Sequence, residues 1–310
     1  MNLRLIALAV TFLVVSTNSF FAWDGTGHMI IEQIAYDQLN TKAKAKVEAL
    51  AKQLDHYGVP YNAVNIACWA DDIKHAGASV PHHGNYKYWH FIDLGCDAAD
   101  PDLIANPPSL TIVNGEIVTA LNHCVAVMKG GNDPLIPNET IALALVIHLV
   151  GDIHQPLHCT THYYHHAGGA KTDIGGNSII VSNLVNAHYN NLHTFWDEAY
   201  RRSYSLLGKV GAAPEISHSA QPSSPELTAW ESRLKKYAPK NPQFSTDFVA
   251  WAKETHALGC QIAYGKLTDP IETSPIILRS AYVRSANRVA SEQIVLAGWR
   301  LAQLLNDLYK

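Results

Sequence analysis

The chain reads as an all-α protein folded as a single compact domain. Apolar residues recur at helical spacing in one segment after another, while strand-like alternation is scarce. No internal repeat or low-complexity block marks off a second unit. A chain of 310 residues can bury a large core on its own.

Residues 1–22 read as an export signal ahead of a mature domain at 23–310. Arg4 precedes a run rich in leucine, valine and phenylalanine, and the polar Ser16-Thr17-Asn18-Ser19 follows. Cleavage after Ala22 leaves Trp23 at the amino terminus, although Phe20 two positions earlier breaks the small-residue rule. A cut after Ser19, with Thr17 two before it, meets that rule better, so both sites stay open. The product is expected to be secreted or periplasmic, with no membrane attachment once the signal is gone. Export permits disulfides. Five cysteines (Cys68, Cys96, Cys124, Cys159 and Cys260) allow two bridges at most. Five choices of spare thiol times three connectivities of the other four leave fifteen pairings open.

His28 heads Met29 to Ala35, whose apolar positions keep helical spacing, and Lys42 to Leu54 reads as a second amphipathic helix. Cys68-Trp69-Ala70-Asp71-Asp72-Ile73-Lys74 sets two acids and a lysine behind a tryptophan. His75 to Asn85 is a polar, histidine-rich loop, and Pro101, Pro107 and Pro108 make a loop of residues 95–110. Glu116 to Lys129 is helical and stops at Gly130-Gly131. Ile141 to Ile147 opens a buried helix too short to span a membrane. A glycine-rich stretch follows, and Asn191 to Asp197 returns to helix. Beyond a linker-like loop from Ser217 to Pro225, helices are expected at 225–237, 244–264 and 280–308. The last carries a core stripe of Ile294, Ala297, Leu301, Leu304, Leu305 and Leu308.

A net charge of −4 removes the basic footprint with which proteins grip duplex nucleic acid. Any chemistry on nucleic acid must then hold phosphate in another way, for instance through metal ions. The compositional anomaly is 17 histidines. His148 and Asp152 lie about 40° apart around a helix axis and roughly 6 Å along it, so both can face one ion. Pro156 breaks the helix and brings His158 in from a new direction. His193 and Asp197 repeat the spacing. A core histidine paired with an aspartate explains one such cluster, but not its recurrence. With His28, Asp71 and His90 the donors exceed the needs of one zinc, and Asp152 is the natural bridge between two cations. His154 is expected to support the ligands from behind or to be structural. His82, His83, His162, His165 and His166 are expected to be solvated in loops.

In this order the motifs resemble the zinc-dependent single-strand-specific nucleases of fungi, plants and bacteria, relatives of the bacterial zinc phospholipases C. The matching pieces are W-D-G-T-G-H at 23–28, W-A-D-D-I-K at 69–74, W-H-F-I-D at 89–93, H-L-V-G-D-I-H-Q-P-L-H at 148–158, G-G-N at 175–177, L-H-T-F-W-D at 192–197 and A-G-W-R-L-A-Q-L-L-N at 297–306. The resemblance implies that family's helical fold and three Zn2+ ions. Asp71, His90, His148 and Asp152 would hold the first, and His158, His193 and Asp197 the second. His28, Asp152 and the α-amino nitrogen and carbonyl oxygen of Trp23 would hold the third, which favours cleavage after Ala22. It also implies hydrolysis of single-stranded DNA and RNA to 5′-phosphate products, with action on nucleotides bearing a 3′-phosphate, by a monomer. Asp71 would orient the attacking water and Lys74 would neutralise charge at phosphorus. Phe91 would stack a base, Asp93 would bind its edge, and Asn177 would touch phosphate. Some members pair a cysteine before W-A-D with one four residues after the first histidine. Here that position is Glu32, so the partner of Cys68 stays open. The rival functions are a phospholipase C, against which Asp197 in place of Glu argues, and a metal-sequestering protein.

Overall fold

The computed structural model describes residues 23–56, 59–75, 82–96, 112–166, 169–185, 190–240, 245–267 and 275–310. The expected export signal and residues 97–110 of the expected loop lie outside them.

The helices are α1 (Gly25–Asp37), α2 (Thr41–Ala51), α3 (Trp69–Asp72), α4 (His83–Tyr86), α5 (Ile117–Met128), α6 (Glu139–Asp152), α7 (Leu192–Asp197), α8 (Pro225–Leu234), α9 (Phe248–Leu258) and α10 (Ser280–Leu308). Short polar side chains start them by accepting a free backbone N–H. Asp24 caps α1, Asn40 caps α2, Asn138 caps α6, Asn191 caps α7 and Ser224, followed by Pro225, caps α8. Helix α6 runs through the middle of the core, buried from Ala142 onward, with α1, α5 and α10 packed around it. The stripe expected on α10 faces inward, with Leu308 only partly buried at its end.

The domain is mostly helical, as expected, and short strands accompany the helices. The strands are β1 (Asp55–His56), β2 (Val59–Pro60), β3 (Ile92–Cys96), β4 (Ile112–Gly115), β5 (Thr161–His166), β6 (Gly169–Thr172), β7 (Val181–Ser182), β8 (Arg202–Tyr204), β9 (Val210–Ala212) and β10 (Ile276–Ile277). Most form two-stranded ribbons, but β4-β3-β5-β6 is a four-stranded mixed sheet, with β3 and β5 parallel. Its members carry Asp, Gly and His among their apolar residues, so the two-residue alternation that announces a strand is blurred. His162 is a correction. It lies in β5, buried, with its ring 5.6 Å from that of Tyr264, rather than in a solvated loop. His82 is exposed, as expected, and the side chains of His83, His165 and His166 lie outside the described ones.

Cys96 at the end of β3 is bridged to Cys260, which follows α9, with Cα atoms 5.7 Å apart. Cys68, Cys124 and Cys159 are free and buried. Cys68 Sγ sits 3.6 Å from the Gly25 carbonyl oxygen. Glu32 is fully buried.

Candidate metal centre

Six separate elements deliver the expected donors to one place. The first turn of α1 carries His28, α3 carries Asp71, and the turn before β3 carries His90. Helix α6 brings His148 and Asp152, the 3-10 turn Pro156–His158 brings His158, and α7 brings His193 and Asp197. All eight are buried.

Asp152 stands at the junction. Its Oδ1 lies 3.2 Å from His28 Nε2, and its Oδ2 lies 2.9 Å from His90 Nδ1 and 3.3 Å from His148 Nε2. Asp71 Oδ1 approaches His148 Nε2 at 3.5 Å and His90 Nδ1 at 3.8 Å. In the neighbouring group, His158 and His193 face each other Nε2 to Nε2 at 3.1 Å, and Asp197 Oδ1 is 3.8 Å from His193 Nε2. Three donor sets thus have atoms converging within 4.8 Å: His28, His148 and Asp152; Asp71, His90 and His148; and His158, His193 and Asp197.

Backbone carbonyls orient the imidazoles. Nδ1–H of His148 donates to Ala67 O (2.7 Å), that of His158 to His90 O (2.6 Å) and that of His193 to Gly175 O (2.6 Å). A carbonyl can only accept, so each ring carries its proton at Nδ1 and turns the Nε2 lone pair toward the cluster. That arrangement typifies metal-binding histidine. Gln155 donates from its side-chain amide to Asp197 Oδ1 at 2.6 Å. Gly151 leaves room for the His28 ring, since a Cβ there would come within 2.8 Å of Nδ1.

The charges invite a cation. Burial pulls Asp71 and Asp152 upward, yet Lys74 and three imidazoles beside Asp71, and His148, His28 and His90 around Asp152, overcome it and hold both carboxyls below their ordinary value. Burial works against His148 too, but Asp152 and Asp71 outweigh it and push the ring up to about 8. Those acids draw positive charge inward, as a proton or as a metal ion. Asp197 has no such compensation. Burial drives it well above the usual range, and the Gln155 amide opposes this only in part. No described residue gives a well-aligned hydrogen bond to either nitrogen of His28 or to Asp152 Oδ1. Buried imidazole and carboxylate donors in that state suit divalent transition metals.

Lys74 lies one 3-10 turn beyond Asp71, and its Nζ is 2.5 Å from Asp71 Oδ1. Asp72 points away, to the Tyr61 hydroxyl at 2.7 Å. The buried His154 is tied to Val150 O and to Arg300, outside the cluster. The His158–His193 side opens into a cleft of about 230 Å³, also lined by Phe91, Asp93, Ile174 and Asn177. Phe91 is seated by Gly115 (φ +89°), where a Cβ would come within 2.3 Å of the Phe91 carbonyl oxygen. Burial, reinforced by Asp173, pushes Asp93 up to about 7. The Asn177 amide donates to Ile174 O within its own turn, at 2.9 Å. Trp23 is fully buried, its indole N–H donating to Gly151 O at 2.9 Å, beside Asp152. The donors singled out by the sequence therefore meet. Tyr88, Leu157 and Ile174 on the cleft wall, and Gln155 behind Asp197, went unread. Only their adjacency to W-H-F, H-Q-P-L-H and G-G-N could have flagged them.

Along nearly its whole length the chain is similar to known nucleases. The chain is 25% identical to Endonuclease 3 of Arabidopsis thaliana over 317 residues, which cover 99% of this chain and 96% of that one. It is 27% identical to Nuclease S1 of Aspergillus oryzae over 322 residues, covering 98% and 97%, and 24% identical to Nuclease P1 of Penicillium citrinum over 298 residues, covering 93% and 98%. The profile of the S1/P1 Nuclease family matches residues 23–310. The chain belongs to the S1/P1 nuclease family, a family of phosphodiester-hydrolysing enzymes.

Proposed function

We propose that the chain is exported, trimmed to residues 23–310, and acts as a monomeric zinc-dependent endonuclease. Its substrates are single-stranded DNA and RNA, cut to 5′-phosphate products, and nucleotides from which it removes a 3′-phosphate. The observation that carries this reading is the shared cleft. Phe91, an aromatic platform, lines the same cavity as His158 and His193.

Three zinc ions are assigned. Asp71, His90, His148 and Asp152 hold one; His158, His193 and Asp197 hold a second; His28, Asp152 and the freed amine and carbonyl oxygen of Trp23 hold a third. Zinc lowers the pKa of water to about 7 and offsets charge on phosphate. The protein supplies placement. Asp71 accepts a hydrogen bond from the attacking water, and Lys74, beside it, faces the charge that develops on phosphorus. Phe91 stacks one unpaired base and Asp93 meets its polar edge, while Asn177 touches the phosphate. A cleft of about 230 Å³ takes a single splayed base rather than a base pair, which accounts for selectivity toward single strands.

The test is to incubate the mature protein with single-stranded DNA, RNA, duplex DNA, a 3′-nucleotide and phosphatidylcholine vesicles, with and without a chelator. Cleavage of both single strands and release of phosphate from the 3′-nucleotide are expected, abolished by chelation and restored by zinc. Lipid turnover without nucleic-acid cleavage would reverse the assignment. Turnover of nothing would point to metal sequestration.

A further inference from the structure

Asp24 follows Trp23 directly, and none of the three metal assignments uses it. Its side chain is nevertheless fully engaged. Oδ1 accepts from the Gly27 N–H at 2.9 Å, which caps α1, and from the Tyr200 hydroxyl at 2.7 Å. Oδ2 accepts from Arg201 Nε at 2.5 Å. The Asp24 N–H donates to the Asp197 carbonyl at 3.2 Å. One residue thereby fastens the start of α1 to the segment that carries His193 and Asp197.

Helix capping alone does not require this. A cap needs one oxygen, and asparagine caps as well as aspartate. Here the second oxygen meets a buried guanidinium that is itself held by Glu198 (3.1 Å), Glu215 (3.0 Å) and the Ala213 carbonyl. The three acids Asp24, Glu198 and Glu215 come together as a cation site would, but Arg201 already supplies their cation. Trp23 is pinned on its other side, through its indole to Gly151 and by Gly27, where a Cβ would come within 2.9 Å of Trp23 Cβ. A chain end without such ties frays, and a ligand atom at a fraying end binds weakly.

We propose that Asp24, gripped by Arg201 and Tyr200, is a positioning residue that holds the freed amino end of Trp23 against His28 and Asp152. The inference rests on amino-terminal ligation of the third zinc. Its test uses the mature protein beginning at Trp23, the Asp24→Asn variant, and a control extended by one alanine ahead of Trp23. Zinc per chain is measured by elemental analysis, and each ion's release is followed in a chelator titration. Asp24→Asn keeps an oxygen for Gly27, and Arg201 keeps Glu198 and Glu215, so the fold is retained; Tyr200→Phe, which removes one hydroxyl, is the second variant. The extended control is expected to hold two zinc ions instead of three. Asp24→Asn is expected to release one ion at about tenfold lower chelator concentration, with the other two unmoved, and Tyr200→Phe to shift the same ion in the same direction. If the control loses an ion while both variants hold it as tightly as the parent, the clamp is wrong and the ligation stands. If the control keeps all its zinc, amino-terminal ligation fails and the clamp falls with it.

Discussion

Ile174 shows how much a single residue conveys beyond its type. It is β-branched, sits at φ +57°, and leaves nearly half its surface exposed on the cleft wall. That conformation costs on the order of 1–3 kcal/mol and persists only where neighbours enforce it. Asp173 does so, buried and bonded to the Thr161 hydroxyl, the His162 N–H and the Tyr264 hydroxyl. Ile174→Gly is expected to leave stability equal or raise it by about 1 kcal/mol, because relief of strain exceeds the added freedom of the unfolded chain. The same change is expected to lower kcat/KM on single-stranded DNA about tenfold through loss of apolar wall. Urea denaturation and steady-state kinetics measure the two effects, and unchanged kinetics would remove Ile174 from the substrate site. The sequence could not announce this residue, since an isoleucine ahead of two glycines is unremarkable until its backbone angle is known. Histidine and aspartate four apart are legible because few other needs put them inside an apolar helix. The carbonyls of Ala67, His90 and Gly175 that aim the rings were illegible, because every residue has one.

Among the elements, helices were readable where apolar residues kept helical spacing. Asn138 before α6 and Ser224-Pro225 before α8 mark their starts to within a residue or two of expectation. The sheet was not readable, because β3 spends its positions on Asp93 for the cleft, Gly95, and Cys96 for the bridge. Helix α1 contains an anomaly of its own in Glu32. Neither of its carboxylate oxygens receives a hydrogen bond from any described residue, and burial alone pushes the acid well above its ordinary value. The folded chain therefore keeps a proton that the unfolded chain gives up above about pH 4.3. The stability linked to that proton is fully present below the unfolded value and is lost as pH climbs through the folded one. Glu32→Gln is accordingly expected to gain on the parent between pH 5 and pH 8, reaching an advantage of about 1–3 kcal/mol. Urea midpoints of the zinc-loaded proteins across that range provide the comparison. A gap that does not change with pH would mean that Glu32 titrates normally.

At the scale of the whole molecule, the fold surrounds a cluster that is electrostatically incomplete as protein alone. Three carboxylates, Asp71, Asp152 and Asp197, are buried among imidazoles, with Lys74 as the adjacent cation. Ions bound there stabilise the folded state by mass action, by about 4 kcal/mol for each one held a thousandfold above its dissociation constant. Chelation is therefore expected to lower Tm by about 10 °C or more in a domain of this size, with recovery on adding zinc. An unchanged melting curve would show that the fold does not depend on the ions. The order of elements along the chain has a further consequence. Helix α1, which presents His28, lies mainly on α10, some 250 residues downstream. A chain whose α10 has not yet been synthesised lacks that support, so His28 is held in place only after α10 has been made.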